Sequence, residues 1–195
     1  MSRRHFLQGV ASVAAAGSGP ALAATTALPA ASIRARSLGV SFADQRSAVG
    51  ASFSAAMADW GARTVALPTD PYGVWQRHMA QARTGKQQAI AGFSNLGTLF
   101  CLERLGWEIG LRVSLRIEHL PLSGGQWHHV SHGALPDWAA PLLDNAAGDF
   151  GLAAARIALE ATGSGSDLTH AAPARHDSAI GDAFVTWMLS PITTA

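Results

Sequence analysis

Strand-like and helix-like segments alternate three times between residues 38 and 120, and this alternation restricts the fold more than any other feature of the chain. Each short apolar run that predicts a strand is followed by a longer segment with apolar residues at helical spacing. Such alternation is typical of βαβ units, in which helices connect parallel strands of one sheet. We therefore predict a three-layer α/β fold with a mostly parallel sheet of four or five strands.

The boundaries of these segments follow from apolar spacing and from residues that start or end helices. Apolar side chains recur at helical spacing from Val49 to Trp60 and again from Leu96 to Ile109. Asp70 and the proline after it form a typical helix start. Strands are predicted at residues 38–43, 64–67, 88–93 and 111–120.

The pattern changes after Leu120. A glycine-containing turn at residues 123–126 and a strand at 127–132 predict an antiparallel hairpin at one edge of the sheet. If the hairpin pivots between its two turn glycines, His119 faces Val130 and Leu120 faces His129. A helix, a Gly/Ser/Ala/Pro-rich loop and a last strand are predicted at residues 149–161, 163–181 and 183–189.

The first residues resemble a twin-arginine (Tat) signal peptide. Residues 2–8 read SRRHFLQ, with Arg3 and Arg4 at the arginine positions and Gln8 where the consensus often has lysine. The apolar stretch that follows is too short to span a bilayer, and Ala21-Leu22-Ala23 fits a cleavage site after Ala23. The resemblance implies export of a folded protein by the Tat translocase to the periplasm, with no membrane anchor left after cleavage. An uncleaved N-terminal anchor is the alternative.

Three parts follow from these observations: a Tat signal peptide at 1–23, a flexible lead-in at 24–36 and a single α/β domain at 37–195. The whole chain has 14 Lys and Arg against 13 Asp and Glu. Residues 1–23 contain Arg3 and Arg4 but no acid, so the mature part has 12 against 13, a net charge of −1. This balance does not favour a nucleic-acid partner.

The carboxyl ends of the first three strands predict a ligand-binding site, because ligands of open α/β sheets bind beyond these ends. Exposed N–H groups at the following helix starts attract carboxylate or phosphate groups. The alternative is that these side chains only cap helices. No glycine-rich nucleotide motif is present. The candidate residues are Asp44, Arg46, Asp70, Ser94 and Asn95.

Histidines concentrate around the predicted hairpin and give a second candidate site. Imidazole is a ligand for zinc, copper and iron, so a transition metal is the cofactor that this group permits. However, residues four apart on a strand are separated by about 13 Å, so ordinary strand positions are the alternative. The candidate metal ligands are Glu118, His119, His128 and His132.

The segment from Ala89 to Glu118 carries a strand, a helix with the sequence Phe-Cys-Leu-Glu-Arg-Leu and a strand that runs into Glu-His. It resembles small Tat-exported bacterial proteins of unknown function, a resemblance that implies no site residue. Cys101, the one cysteine, is predicted to be a buried apolar residue of this helix. We expect a periplasmic ligand-binding protein or an accessory protein of a periplasmic complex. The alternative is a periplasmic metal-binding protein or metalloenzyme that uses the histidines.

Overall fold

The computed structural model describes residues 38–82, 88–132, 135–146, 149–161 and 183–192. The predicted signal peptide, the lead-in and the Gly/Ser/Ala/Pro-rich loop lie outside these residues. The strands are β1 (Leu38–Ala43), β2 (Thr64–Ala66), β3 (Ala89–Asn95), β4 (Leu111–Pro121), β5 (Trp127–Ser131) and β6 (Phe184–Pro191). The helices are α1 (Ala48–Asp59), α2 (Tyr72–Ala82), α3 (Leu96–Glu108), α4 (Ala139–Asp144) and α5 (Gly151–Ala161). Within the described residues, no helix combines the length and hydropathy needed to cross a membrane.

The six strands form one open mixed sheet in the order β2-β1-β3-β6-β4-β5. β1 pairs in parallel with β2 and β3, whereas the pairs β3–β6, β6–β4 and β4–β5 are antiparallel. The α/β class is confirmed, and the β4–β5 hairpin lies at the edge of the sheet. The prediction of a mostly parallel sheet of four or five strands is wrong, because the described residues form six strands and three of their five pairings are antiparallel.

The last strand of the chain causes this difference. β6 inserts between β3 and β4 and is antiparallel to both, so β3 and β4 point the same way without pairing with each other. Its residues from Val185 to Leu189 are all buried, as expected for a central strand that is covered on both faces. Strand-helix alternation reveals the direction of β4 but not the strand that separates it from β3.

Capping residues begin the helices that frame the sheet. Ser47 caps α1 by accepting a hydrogen bond from the backbone N of Gly50, and Asn95 caps α3 in the same way. α4 was not predicted, because two prolines lie in or near it, although proline is tolerated in a first helical turn. The prediction for Cys101 is also wrong, because this residue lies on the exposed face of α3.

Alternate residues of the central strands enter two separate hydrophobic clusters. Phe93 and Met188 join a cluster that includes residues of α1, α4 and α5. Ile90 and Trp187 join a cluster that includes residues of α2 and α3. The loop that follows β1 and the loop that follows β3 therefore lead to helices in different clusters.

Candidate functional site

The loop after β1 holds an ion pair between Asp44 and Arg46. Nε of Arg46 donates to Oδ1 of Asp44 at 2.8 Å, and Nη2 donates to Oδ2 at 2.6 Å. The backbone N of Arg46 also donates to Oδ1 at 3.1 Å. The Asp44 side chain is nearly buried, whereas the Arg46 side chain is 60% exposed. The hydrogen bonds from Arg46 lower the pKa of Asp44 below its ordinary value of 3.8, against the opposing effect of burial.

Arg46 also connects the ends of β1 and β2. Its Nη1 atom donates to the hydroxyl of Thr69 at 3.1 Å, in the loop that follows β2. Asp70 is exposed next to Thr69, and its Oδ1 atom accepts from the backbone N of Tyr72 at 3.0 Å. Asp70 thus acts as a cap at the start of α2, and Thr69 joins the predicted group of ligand residues.

The two predicted residues at the end of β3 have different environments. Asn95 is exposed, and its side chain accepts from the backbone N of Thr98 at 2.7 Å. Ser94 is fully buried, and its hydroxyl accepts from Nε1 of Trp187 at 3.0 Å and donates to the carbonyl of Asn95. Ser94 therefore belongs to the interior beneath the site, whereas Asn95 lies at the surface.

The β4–β5 hairpin has a register that differs by one residue from the predicted one. His119 faces His129, Leu120 faces His128 and Glu118 faces Val130. The hairpin pivots on Gly124 rather than between the two glycines, since the backbone N of Leu122 donates to the carbonyl of Gln126. Residues that face each other across a hairpin point to the same side of the sheet, so this shift places His129, and not Val130, on the same side as His119.

Because of this register, two histidines meet inside the protein. Nδ1 of His119 lies 2.7 Å from Nδ1 of His129, and Nε2 of His119 lies 2.8 Å from the hydroxyl oxygen of Thr186 on β6. His119 is completely buried, whereas His129 is half-buried. The three side chains form a hydrogen-bonded chain that runs from β6 through β4 to β5.

Aromatic rings surround this histidine pair. The ring of His119 stacks on Phe93 at 5.8 Å and lies 4.4 Å from Phe150, measured between ring centroids. Burial, and to a smaller degree His129, hold the pKa of His119 well below its ordinary value of 6.5. Burial also lowers the pKa of His129, with a raising effect from Asp144 and a lowering effect from His128. Both imidazoles are therefore neutral near neutral pH.

The four predicted metal ligands are divided between the two faces of the hairpin. His119 lies on one face, whereas Glu118 and His128 lie on the other by strand alternation. Nε2 of His132 lies 2.9 Å from Oε1 of Glu118, and the same oxygen accepts from Arg116 at 2.6 Å. Among the described residues, no group of three or more His, Cys, Asp or Glu side chains is placed to hold a metal ion.

Sequence reasoning missed two residues of the histidine chain. His129 was placed opposite Leu120 instead of His119, an error that a pivot on Gly124 would have removed. Thr186 was missed because its position opposite Ile117 depends on β6 lying beside β4. No local pattern in the sequence indicates that strand order.

Comparison of the chain with protein-family models, with curated proteins and with solved structures finds no match.

Proposed function

We propose that this chain is an exported protein that binds a small polar ligand between the carboxyl ends of β1 and β3. The observation on which this proposal rests is the strand order. β1 lies between β2 and β3, so the chain passes to one side of β1 and then to the other. The two clusters support a three-layer arrangement in which α1 and α3 lie on opposite faces of the sheet. Loops that diverge in this way leave a crevice at a topological switch point, where α/β proteins bind ligands.

The side chains at this crevice favour a ligand with hydroxyl or carboxylate groups. Arg46 presents an exposed guanidinium, but its charge is balanced by Asp44, so a strongly anionic ligand is less favoured. The starts of α1 and α3, capped by Ser47 and Asn95, add a positive potential at the ends of two neighbouring strands. A hydroxylated molecule with a single carboxylate fits these groups best.

Small molecules that copurify with the protein would test this binding. We expect native mass spectrometry of the wild-type protein to show a bound small molecule that Arg46→Ala loses. Arg77→Ala removes an exposed arginine from α2 and is the matched control. Equal occupancy in the two variants, or no bound molecule together with no binding of hydroxy acids to the wild type, would contradict the proposal.

Export by the twin-arginine route is the second part of the proposal, supported by the Ser2–Gln8 motif. Replacement of both Arg3 and Arg4 by lysine should leave a full-length precursor in the cytoplasm, whereas the wild type should reach the periplasm in shortened form. Arg34→Lys, in the lead-in, keeps the motif and should not change export. Periplasmic wild-type levels of the double variant would exclude this route.

An accessory role in a complex is the second candidate function, and the outer face of α3 favours it. Phe100 and Trp107 are 57% and 40% exposed, and the guanidinium of Arg104 lies over both rings, 5.2 and 4.2 Å from their centroids. Exposed aromatic and arginine side chains dominate the energetics of protein interfaces. A partner captured from periplasm should be lost with Trp107→Ala and kept with Tyr72→Ala, an exposed aromatic residue of α2. Equal capture by both variants would argue against this face.

A further inference from the structure

The hydrogen bonds that connect Thr186, His119 and His129 end at His129, and they do not involve the Nε2 atom of this residue. The hydrogen bond of His129 to His119 uses Nδ1, and Nε2 lies on the other side of the ring. His129 is half-buried, whereas His119 behind it is fully enclosed. A buried hydrogen-bonded chain thus ends in one imidazole nitrogen at the rim of the aromatic cluster.

The chain determines which group this nitrogen presents. Two neutral imidazoles that share a hydrogen bond between their Nδ1 atoms must have one donor and one acceptor. When His129 donates, its Nε2 atom is an acceptor, and Nε2–H of His119 donates to Thr186. When His119 donates, Nε2–H of His129 is a donor, and the hydroxyl of Thr186 donates to His119. Thr186 suits both arrangements because a hydroxyl can donate or accept.

The surroundings of His129 are aromatic. Trp127 lies two residues earlier on the same face of β5, and its ring is 5.1 Å from Phe150 and 5.9 Å from Phe184. His129 contacts Phe150 edge-on at 4.9 Å. Trp127 and Phe184 are only partly buried, so their ring surfaces are available beside the imidazole. Offset stacking and edge contacts with such rings favour an aromatic ligand.

We propose that the hairpin end formed by Trp127, His129 and Phe184 binds an uncharged aromatic molecule with one hydroxyl or carbonyl group. Nε2 of His129 accepts from the hydroxyl or donates to the carbonyl, and His119 and Thr186 are positioning residues. An uncharged ligand is favoured because a neutral imidazole does not compensate the desolvation of an ion. Asp144 and His128 are the other titratable groups that act on His129.

The imidazole of this site lies away from the proposed crevice between β1 and β3, although the two sites adjoin where Phe184 faces Asn95. Asn95 faces Phe184, Phe184 faces His119 and His119 faces His129, so three strand spacings separate Asn95 from His129. At about 4.8 Å per spacing, the distance is about 14 Å. Arg46→Ala and His129→Phe therefore test the two sites separately.

Titration of the histidine-labelled chain with phenol, acetophenone and toluene tests the proposal, with ¹⁵N–¹H NMR as the readout. Phenol and acetophenone should shift the nitrogen resonances of His129 in a saturable way, while those of exposed His128 stay unchanged. Phenol should favour the tautomer of His129 with an unprotonated Nε2 atom, and acetophenone the tautomer with Nε2–H. His129→Phe should weaken the binding of phenol about tenfold, the equivalent of one hydrogen bond, and leave toluene binding unaltered. No saturable shift at millimolar phenol, or equal loss of phenol and toluene in His129→Phe, would overturn the proposal.

Two variants of His119 test its positioning role. Asn can place a nitrogen or oxygen close to the Nδ1 position of histidine, whereas leucine has similar bulk and no hydrogen-bonding group. We expect His119→Asn to retain the opposite tautomeric response to phenol and acetophenone, and His119→Leu to abolish it, in samples that thermal unfolding shows to be folded. If both folded variants respond as the wild type does, His119 does not position His129. If either fails to fold, Thr186→Val gives the same test from the far end of the chain and should reduce the tautomeric response.

Discussion

Trp187 occupies the space that a side chain at position 92 would need. Gly92 on β3 faces Trp187 on β6, and a methyl group on Gly92 would overlap the six-membered part of the indole ring. The indole N–H reaches forward along the strand to the hydroxyl of Ser94 at 3.0 Å. The close approach of these two central strands therefore depends on glycine at one residue and tryptophan at its partner, directly beneath the proposed crevice.

Gly92→Ala should destabilise the protein by about 1–3 kcal/mol, because the fully buried indole must shift within a close-packed cluster. The free energy of unfolding in urea measures this change. Gly73→Ala is the control, since a methyl group on this α2 residue meets only the end of Arg77 at 3.8 Å. The control should be unchanged or up to about 1 kcal/mol more stable. A Gly92→Ala protein as stable as the control would show that the strands are not held this closely.

This pair also shows where the sequence stops being informative. The period of apolar residues correctly predicts where the six strands of the described residues lie, and capping residues predict the starts of α2 and α3, because both signals are local. The pairing of Gly92 with Trp187 joins residues 95 positions apart, and nothing in either segment indicates its partner. The mixed sheet could not be predicted because strand order is determined by packing across the whole domain.

The two candidate sites also differ in how far local sequence signals predict them. Asp44, Arg46 and Asn95 follow strand ends, so their common edge could be predicted from strand direction alone. The contact between His119 and His129 depended on a single residue of hairpin register, which the two adjacent glycines leave ambiguous. Gly124 and Gly125 both have positive φ, at 81° and 77°, so either could serve as the pivot.

The Asp44–Arg46 pair should contribute modestly to stability. Arg46 is 60% exposed, so solvent screens its charge, and we expect a coupling free energy of about 0.5–1.5 kcal/mol between the two side chains. A double-mutant cycle with Asp44→Asn and Arg46→Gln measures this term through urea unfolding. The cycle Arg156→Gln and Glu160→Gln on α5 offers an ordinary i,i+4 pair for comparison. Coupling at Asp44 below that of the α5 pair would contradict the bidentate geometry.

Asn95 caps α3, and this role can be separated from ligand binding. Asn95→Ala removes the acceptor for the backbone N of Thr98 and should destabilise the protein by about 0.5–2 kcal/mol. Asn95→Ser keeps a capping hydroxyl and should retain most of that stability. If Asn95 also contacts the ligand, both variants should lose the bound small molecule in native mass spectrometry. Retention of the ligand by a folded Asn95→Ser protein would restrict Asn95 to capping.

The histidine pair should make the protein less stable as the pH falls below 6.5. Both pKa values are lowered in the folded protein, so the imidazoles stay neutral there while the unfolded chain takes up protons. The stabilisation is complete above the unfolded pKa and is lost as the pH falls toward the folded values. His119 can contribute up to about 1.4 kcal/mol per pH unit, and half-buried His129 contributes less. Urea unfolding at about pH 7.5 and about pH 5.5 measures the loss.

Variants assign this pH dependence to the pair. His128 is exposed and has the smallest of the three effects on the pKa of His129, so His128→Gln should keep most of the wild-type difference between the two pH values. The combination of His119→Leu with His129→Phe should reduce that difference much more. Asp44 affects stability only at lower pH. Its pKa in the folded protein lies below 3.8, so the stabilisation from its carboxylate is complete above pH 3.8 and is lost as the pH falls toward the folded pKa. An unchanged or greater wild-type stability at about pH 5.5 would contradict the lowering of the two histidine pKa values in the folded protein.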